Sequence, residues 1–228
     1  MINSNIIAVN AFVLEAVLII NLTVALLVLI RGIKESVYRS FFVFLLLVSA
    51  WVLIRFIDNW YSYVSPSVSI WSQLAILPPL FIPFFFFRFI NSFTGQWGSV
   101  GLREKVMLLL PAIVMTGFIF TPYNVVSYDN NLFKPGSLYI WFSIYFVLLV
   151  TYSLAILWRQ RYTMASWHRA QANNIFWGSL LTALFGIMFS SILPLLGFDK
   201  FYYVGSMSSA FFSILIFVTI TKMVISKE

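Results

Sequence analysis

Long apolar stretches follow one another along almost the whole chain and constrain its fold more than any other feature. Seven of them can be marked, at residues 6–30, 40–57, 68–90, 105–121, 138–158, 174–196 and 201–225. A helix that crosses a bilayer needs about 20 predominantly apolar residues. No alternation typical of strands competes with this interpretation. The sequence therefore predicts seven transmembrane helices.

The composition excludes a soluble globular protein. Hydrophobic residues make up 61% of the 228 residues and charged residues only 9%, whereas soluble domains carry about 25% charged residues. We predict an all-α, polytopic membrane protein that forms a single seven-helix bundle domain over residues 1–228.

The chain has no cysteine and one histidine, so neither a disulfide nor a metal site is expected, and no cofactor is predicted.

The distribution of lysine and arginine predicts the orientation. Eleven of these residues fall in the first, third and fifth loops and at the C-terminal end, and three fall on the opposite side. Because cytoplasmic loops carry the excess of positive charge, we expect the N-terminus outside and the C-terminus in the cytoplasm. The loop at residues 122–137, on the outer side, is long enough for a small hairpin.

Three prolines interrupt the third apolar stretch, at Pro78, Pro79 and Pro83, beside a block of four phenylalanines. Each proline lacks an N–H and clashes with the carbonyl four residues earlier. Lipid offers no donor to the freed carbonyls of Leu74, Ala75 and Pro79, so they should face the bundle. We expect this helix to bend or widen near the membrane centre. A purely structural kink and a kink that opens a pocket are both open alternatives.

Few ionisable groups lie within the apolar stretches, where such groups often mark function. Glu15 in the first span and Arg55 in the second fall in the same leaflet, so an ion pair between them is expected. The alternative has Arg55 reaching the surface and Glu15 neutral. Ligand binding is expected on the outer half of spans one, two, three and seven, and the predicted ligand-binding residues are Glu15, Arg55, Gln73, Pro78, Pro79 and Pro83.

Small residues in the last two spans predict close helix packing rather than chemistry. They are Gly178 and Ser179 in the sixth span and the run from Gly205 to Ala210 in the seventh. No nucleophilic triad, phosphate loop or paired carboxylate motif is present. We therefore expect no catalytic residue and no enzyme activity in this chain.

Four motifs give the chain a family resemblance. They are Trp51-Val-Leu-Ile-Arg55-Phe56, Leu77-Pro-Pro-Leu-Phe-Ile-Pro83-Phe-Phe-Phe-Phe, Arg169-Ala-Gln171 followed by Gly178, and Leu193-Pro194-Leu-Leu-Gly197. Together they resemble the seven-helix membrane sensor region at the N-terminus of bacterial histidine kinases and diguanylate cyclases. The resemblance implies a sensory module that passes ligand binding through its helices to a cytoplasmic effector. That effector is not among these residues, so both a fragment of a longer receptor and a free-standing module are open.

A small-solute transporter or permease is the alternative function, with Glu15 as its one candidate coupling carboxylate. The expected location is the inner (plasma) membrane, with multiple crossings. The expected partners are membrane lipid, an unknown small ligand and a cytoplasmic signalling domain or partner protein. A homodimer is a further option, and no nucleic-acid partner is expected.

Overall fold

The computed structural model describes residues 4–32, 34–64, 70–121, 123, 125–129, 132–193 and 202–225. Most of them are helical: α1 (Ser4–Gly32), α2 (Ser36–Val64), α3 (Ile70–Leu74), α4 (Leu77–Phe93), α5 (Leu102–Thr116), α6 (Ser137–Gln160), α7 (Ser166–Ile187) and α8 (Tyr202–Ile225). A short 3-10 helix, Arg161–Thr163, follows α6, and a π-helical turn, Met188–Ile192, extends α7. With α3 and α4 taken as one span, the described residues form seven helical segments, which fit a seven-helix bundle.

A short hairpin is the one departure from the predicted all-α fold within the described residues. Strand β1 (Val125–Asp129) pairs antiparallel with β2 (Leu132–Pro135) in the connection between α5 and α6. The hairpin falls in the 122–137 loop, where the sequence allowed one. Backbone N–H and C=O groups need hydrogen-bond partners, and the two strands supply them to each other. The fold is therefore a helical bundle with one small hairpin.

Four helical segments of the described chain are long and apolar enough to cross a membrane. They are Val9–Gly32, Ser36–Tyr61, Ile70–Phe93 and Ser137–Thr163. Within the described side chains, Met207–Thr221 of α8 is a further apolar helical stretch, and α5 has 15 residues. Outward faces are strongly apolar: Phe12 on α1 is 72% exposed and Trp141 on α6 is 66% exposed. Such surfaces suit contact with lipid rather than water.

The phenylalanine block of α4 packs into the centre of the bundle. Phe89 lies 5.2 Å from Phe41 of α2, and Phe86 lies 6.0 Å from Phe44 of the same helix, measured between ring centroids. Phe212 of α8 meets Phe44 and Phe86 edge-on, at 5.6 and 6.2 Å. Tilted and edge-on pairs at these distances are favourable beyond the area that they bury. The rings therefore tie α2, α4 and α8 together.

The third apolar stretch is interrupted, but near one end rather than at its centre. Helix α3 ends at Leu74, and α4 begins at Leu77 with Pro78 and Pro79 in its first turn. Proline is tolerated there because the N–H groups of a first turn have no partner within the helix. The prolines therefore restart the helix instead of bending it at mid-membrane. Pro83 lies inside the continuous part of α4.

Helices α7 and α8 pack closely against each other at Gly178. A Cβ atom built on Gly178 would overlap the side chain of Leu215 on α8. Glycine at this point brings the two helices together, as small residues do in membrane proteins. The close packing predicted for Gly178 is therefore confirmed.

We expect Gly178→Ala to lower the free energy of unfolding by about 1–3 kcal/mol, because the added methyl group overpacks the contact with Leu215. Thermal unfolding in detergent measures the change. The double variant Gly178→Ala, Leu215→Ala should recover part of the loss.

Gly186→Ala on the same helix is the control, since its Cβ would meet nothing within 4 Å. That change should be neutral or slightly stabilising, because alanine favours a helix over glycine. Equal losses at Gly178 and Gly186 would contradict the packing account.

Candidate functional site

A cavity opens in the middle of the bundle between α2, α6, α7, α8 and the junction of α3 with α4. Its volume is about 130 Å³, and it is partly open to the outside. An apolar cavity of similar size can hold one molecule the size of benzene. We call it the central cavity.

Aromatic side chains form two sides of the wall of the central cavity. Phe44, Phe86 and Phe212 supply one side, and Phe142 and Phe146 of α6 supply another. A concave, mainly apolar wall with a few polar atoms is the usual form of a small-molecule site. The phenylalanines that hold the helices together thus also shape the cavity.

The junction of α3 and α4 contributes directly to this wall. Ala75 and Ile76, which lie between the two helices, line the cavity together with Pro79. Ala75 is fully buried, so the irregular backbone at the junction faces protein rather than lipid, as the physics of the bilayer requires. The sequence left open whether the interruption is purely structural or opens a pocket. In the structure, the interruption lies beside a cavity.

Hydroxyl groups on the wall fall into two kinds. Ser143 donates to the carbonyl of Tyr139 at 2.8 Å, and Ser208 donates to the carbonyl of Gly205 at 2.7 Å, each within its own helix. The hydroxyls of Ser179 and Thr182 on α7 have no hydrogen-bond partner among the described residues. Ser179 and Thr182 both line the central cavity, but their hydroxyl oxygens are buried and have almost no surface open to it.

The indole of Trp51 on α2 is a third polar group of this kind. Its Nε1 atom is buried and has no acceptor within the described part of the chain. An indole N–H can only donate, and a buried donor without an acceptor costs about 1–3 kcal/mol. Trp51 therefore favours an occupant that brings an acceptor into the central cavity.

Arg55 also lines the central cavity, but its ion-pair partner is Asp58 rather than the predicted Glu15. Its Nη1 atom lies 3.5 Å from Oδ2 of Asp58, one turn further along α2. Ser72 of α3 donates a hydrogen bond to the same carboxylate. The predicted pair with Glu15 is wrong, because Glu15 lies on the exposed side of α1 and makes no ion pair within the described chain. The Asp58 carboxylate, three residues from Arg55 on the same helix, lies closer to the guanidinium than the Glu15 carboxylate on another helix does.

The structure brings only part of the predicted ligand-binding set together. Arg55 and Pro79 line the cavity. Pro78 and Pro83 are buried in α4 without reaching the wall, and Gln73 is half-buried in α3. Glu15 lies outside the cavity. The sequence analysis missed the walls from α6 and α7, because Ser179 and Thr182 look like ordinary packing residues until the helices are assembled.

A buried polar link connects the cavity to α1. The Asn21 side-chain amide donates to the Ser209 hydroxyl at 3.2 Å, and the Ser213 hydroxyl donates to the Asn21 carbonyl oxygen at 2.7 Å. All three side chains are buried, and Ser209 also lines the central cavity. We call these three residues the α1–α8 link. A molecule in the cavity would therefore lie beside a hydrogen bond that joins α1 to α8.

Comparison with known proteins identifies the family. The family model described as the N-terminal 7TM region of histidine kinase matches residues 13–220. That region is a sensor region rather than a catalytic domain. No curated protein and no solved structure shows a significant match to the chain. The family model covers nearly the whole chain, and the chain therefore belongs to the family of N-terminal seven-transmembrane regions of histidine kinases.

Proposed function

We propose that this chain senses a small molecule in the central cavity and passes the signal through α8 to a cytoplasmic signalling domain. The family match supports a membrane sensory module. The cavity supports a small-molecule ligand, since its wall is apolar with a few inward-facing polar atoms. The exposed apolar faces would contact lipid and, in a homodimer, a second copy of the chain.

One observation carries the signalling part of the proposal: the output helix forms part of the cavity wall. Ser209 and Phe212 of α8 line the cavity, and Ser209 also accepts the hydrogen bond from Asn21. A ligand that competes for the Ser209 hydroxyl or displaces the Phe212 ring would change how α8 packs on α1. A ligand shifts a two-state equilibrium only by its unequal affinity for the two states. Its contacts with Ser209 and Phe212 would differ between two packing arrangements of α8, so its affinity for them would be unequal.

The transporter alternative gains no support from a specific contact. Glu15 was its candidate coupling carboxylate, and Glu15 lies on the exposed side of α1 rather than in the cavity. Solute flux into liposomes that contain the purified chain would be the sign of transport.

The proposed orientation places the N-terminus outside and the C-terminus in the cytoplasm, in the inner (plasma) membrane. It rests on the eleven-to-three bias of lysine and arginine. Reporter fusions at Lys34, Arg103 and Arg161 should all give cytoplasmic signals. Periplasmic signals from any two of them would overturn this orientation.

Filling the central cavity with a side chain should imitate ligand binding. With a histidine kinase domain fused after Glu228, we expect Ala183→Phe to change autophosphorylation in membrane vesicles severalfold, because Ala183 lines the cavity. The proposal predicts a change and leaves its sign open, since a ligand can favour either state.

Leu184→Phe is the matched control, since Leu184 is the next residue of α7 and is 56% exposed. It should leave autophosphorylation unchanged. Identical activity of the parent chimera, Ala183→Phe and Leu184→Phe, with equal amounts in the membrane, would contradict the proposed function.

A further inference from the structure

We propose that the ligand of the central cavity is a small, neutral, mainly apolar molecule with an oxygen acceptor, held between Trp51 on α2 and the hydroxyls of Ser179 and Thr182 on α7. This inference rests on the proposed function, because it names the chemical class that the same cavity binds. It follows from the polar atoms of the wall, their arrangement and the charge beside them.

Three polar atoms on residues of the cavity wall are not satisfied by the protein, and a ligand would reach them when these side chains rotate. The Trp51 Nε1, Ser179 Oγ and Thr182 Oγ1 atoms are buried and have no hydrogen-bond partner among the described residues. Ser179 as a whole is only 4% exposed. Polar groups buried in proteins are nearly always hydrogen-bonded, so three such atoms around one cavity point to an occupant that completes them.

The backbone carbonyls of α7 could accept hydrogen bonds from the Ser179 and Thr182 hydroxyls, but they do not. Serine and threonine in helices commonly bond the carbonyl one turn earlier. Ser143 and Ser208, on the same wall, do so. Ser179 and Thr182 keep their hydroxyls free of the α7 backbone, although both belong to a regular helix.

The arrangement suits a ligand that bridges two helices. Ser179 and Thr182 are three residues apart and so lie on one face of α7. Trp51 lies on α2, which lines the cavity together with α7 but does not pack along it. An oxygen atom that accepts from Trp51 or from a hydroxyl can thus lie between the two helices, with apolar atoms against Phe44 and Phe146.

The charge balance favours a neutral molecule over an anion. Arg55 carries the one positive charge among the described lining residues, and its guanidinium already faces the Asp58 carboxylate at 3.5 Å. The rest of the wall is apolar or hydroxyl-bearing, and a second charge in such surroundings would lose its hydration without a new partner.

Three probes of matched size test this class on the full 228-residue chain in nanodiscs. Cyclohexanone has a neutral oxygen acceptor, methylcyclohexane has no polar atom, and cyclohexanecarboxylate carries a negative charge. The readout is the indole N–H resonance of isotope-labelled tryptophan. The chain has eight tryptophans, and Trp51→Phe identifies the resonance of Trp51 by its loss.

We expect cyclohexanone to shift the Trp51 resonance saturably and methylcyclohexane to leave it in place. Ser179→Ala and Thr182→Val should each weaken cyclohexanone binding about threefold to tenfold, as the loss of one hydrogen bond does. Ser153→Ala and Thr219→Val are the controls, since their hydroxyls are already bonded within their own helices and neither residue lines the cavity. The affinity of both control variants for cyclohexanone should stay within about twofold of that of the parent chain.

Three outcomes would overturn the inference. Equal shifts with cyclohexanone and methylcyclohexane would mean that the oxygen is not recognised. A response to cyclohexanecarboxylate alone, lost in Arg55→Gln, would mean that the site binds anions. An unperturbed Trp51 resonance with all three probes would mean that water alone completes these atoms.

The same probes separate this inference from the proposed function. If cyclohexanone binds as described but leaves the kinase chimera unaffected, the ligand class stands and the sensory role fails. If Ala183→Phe alters the chimera while no probe reaches Trp51, the sensory role stands and the ligand class fails.

Discussion

Two consecutive prolines beside a junction of two helices are the constraint on which the rest of this structure depends. Pro78 and Pro79 cannot donate backbone hydrogen bonds, so the helix restarts at Leu77 instead of running on from α3. In a membrane, such a junction must face protein. The bundle meets this demand by burying Ala75 and Ile76, which line the central cavity together with residues of four further helices.

The cavity matters because the last helix is part of its wall and is also fastened to the first. Phe212 packs against Phe44 and Phe86, while Ser209 and Ser213 hold Asn21. On the other side of α8, a methyl group added to Gly178 would overlap Leu215 unless that side chain moved. A helix fixed at several close contacts moves between discrete arrangements rather than deforming gradually. This is the physical basis for proposing α8 as the output element.

The sequence predicted the helical character, the membrane class and the family well, because long apolar stretches and sparse charge leave few alternatives. It also predicted the interrupted third helix and the close packing at Gly178. It misplaced the ion pair, although Asp58 follows Arg55 by three residues on the same helix, a spacing that makes the two side chains neighbours. The polar wall from Ser179 and Thr182 was out of reach, because an unbonded hydroxyl becomes visible only when its helix is placed beside the cavity.

The most direct test of the central claim is the distance between α1 and α8 with the cavity empty and filled. The chain has no cysteine, so spin labels can be placed cleanly at Leu26→Cys and Val218→Cys, which are 56% and 43% exposed. In nanodiscs, Ala183→Phe should shift the distance distribution by about 1–2 Å, the scale of helix shifts in signalling proteins, and Leu184→Phe should not. Superimposable distributions in all three proteins would contradict the coupling of the cavity to α8.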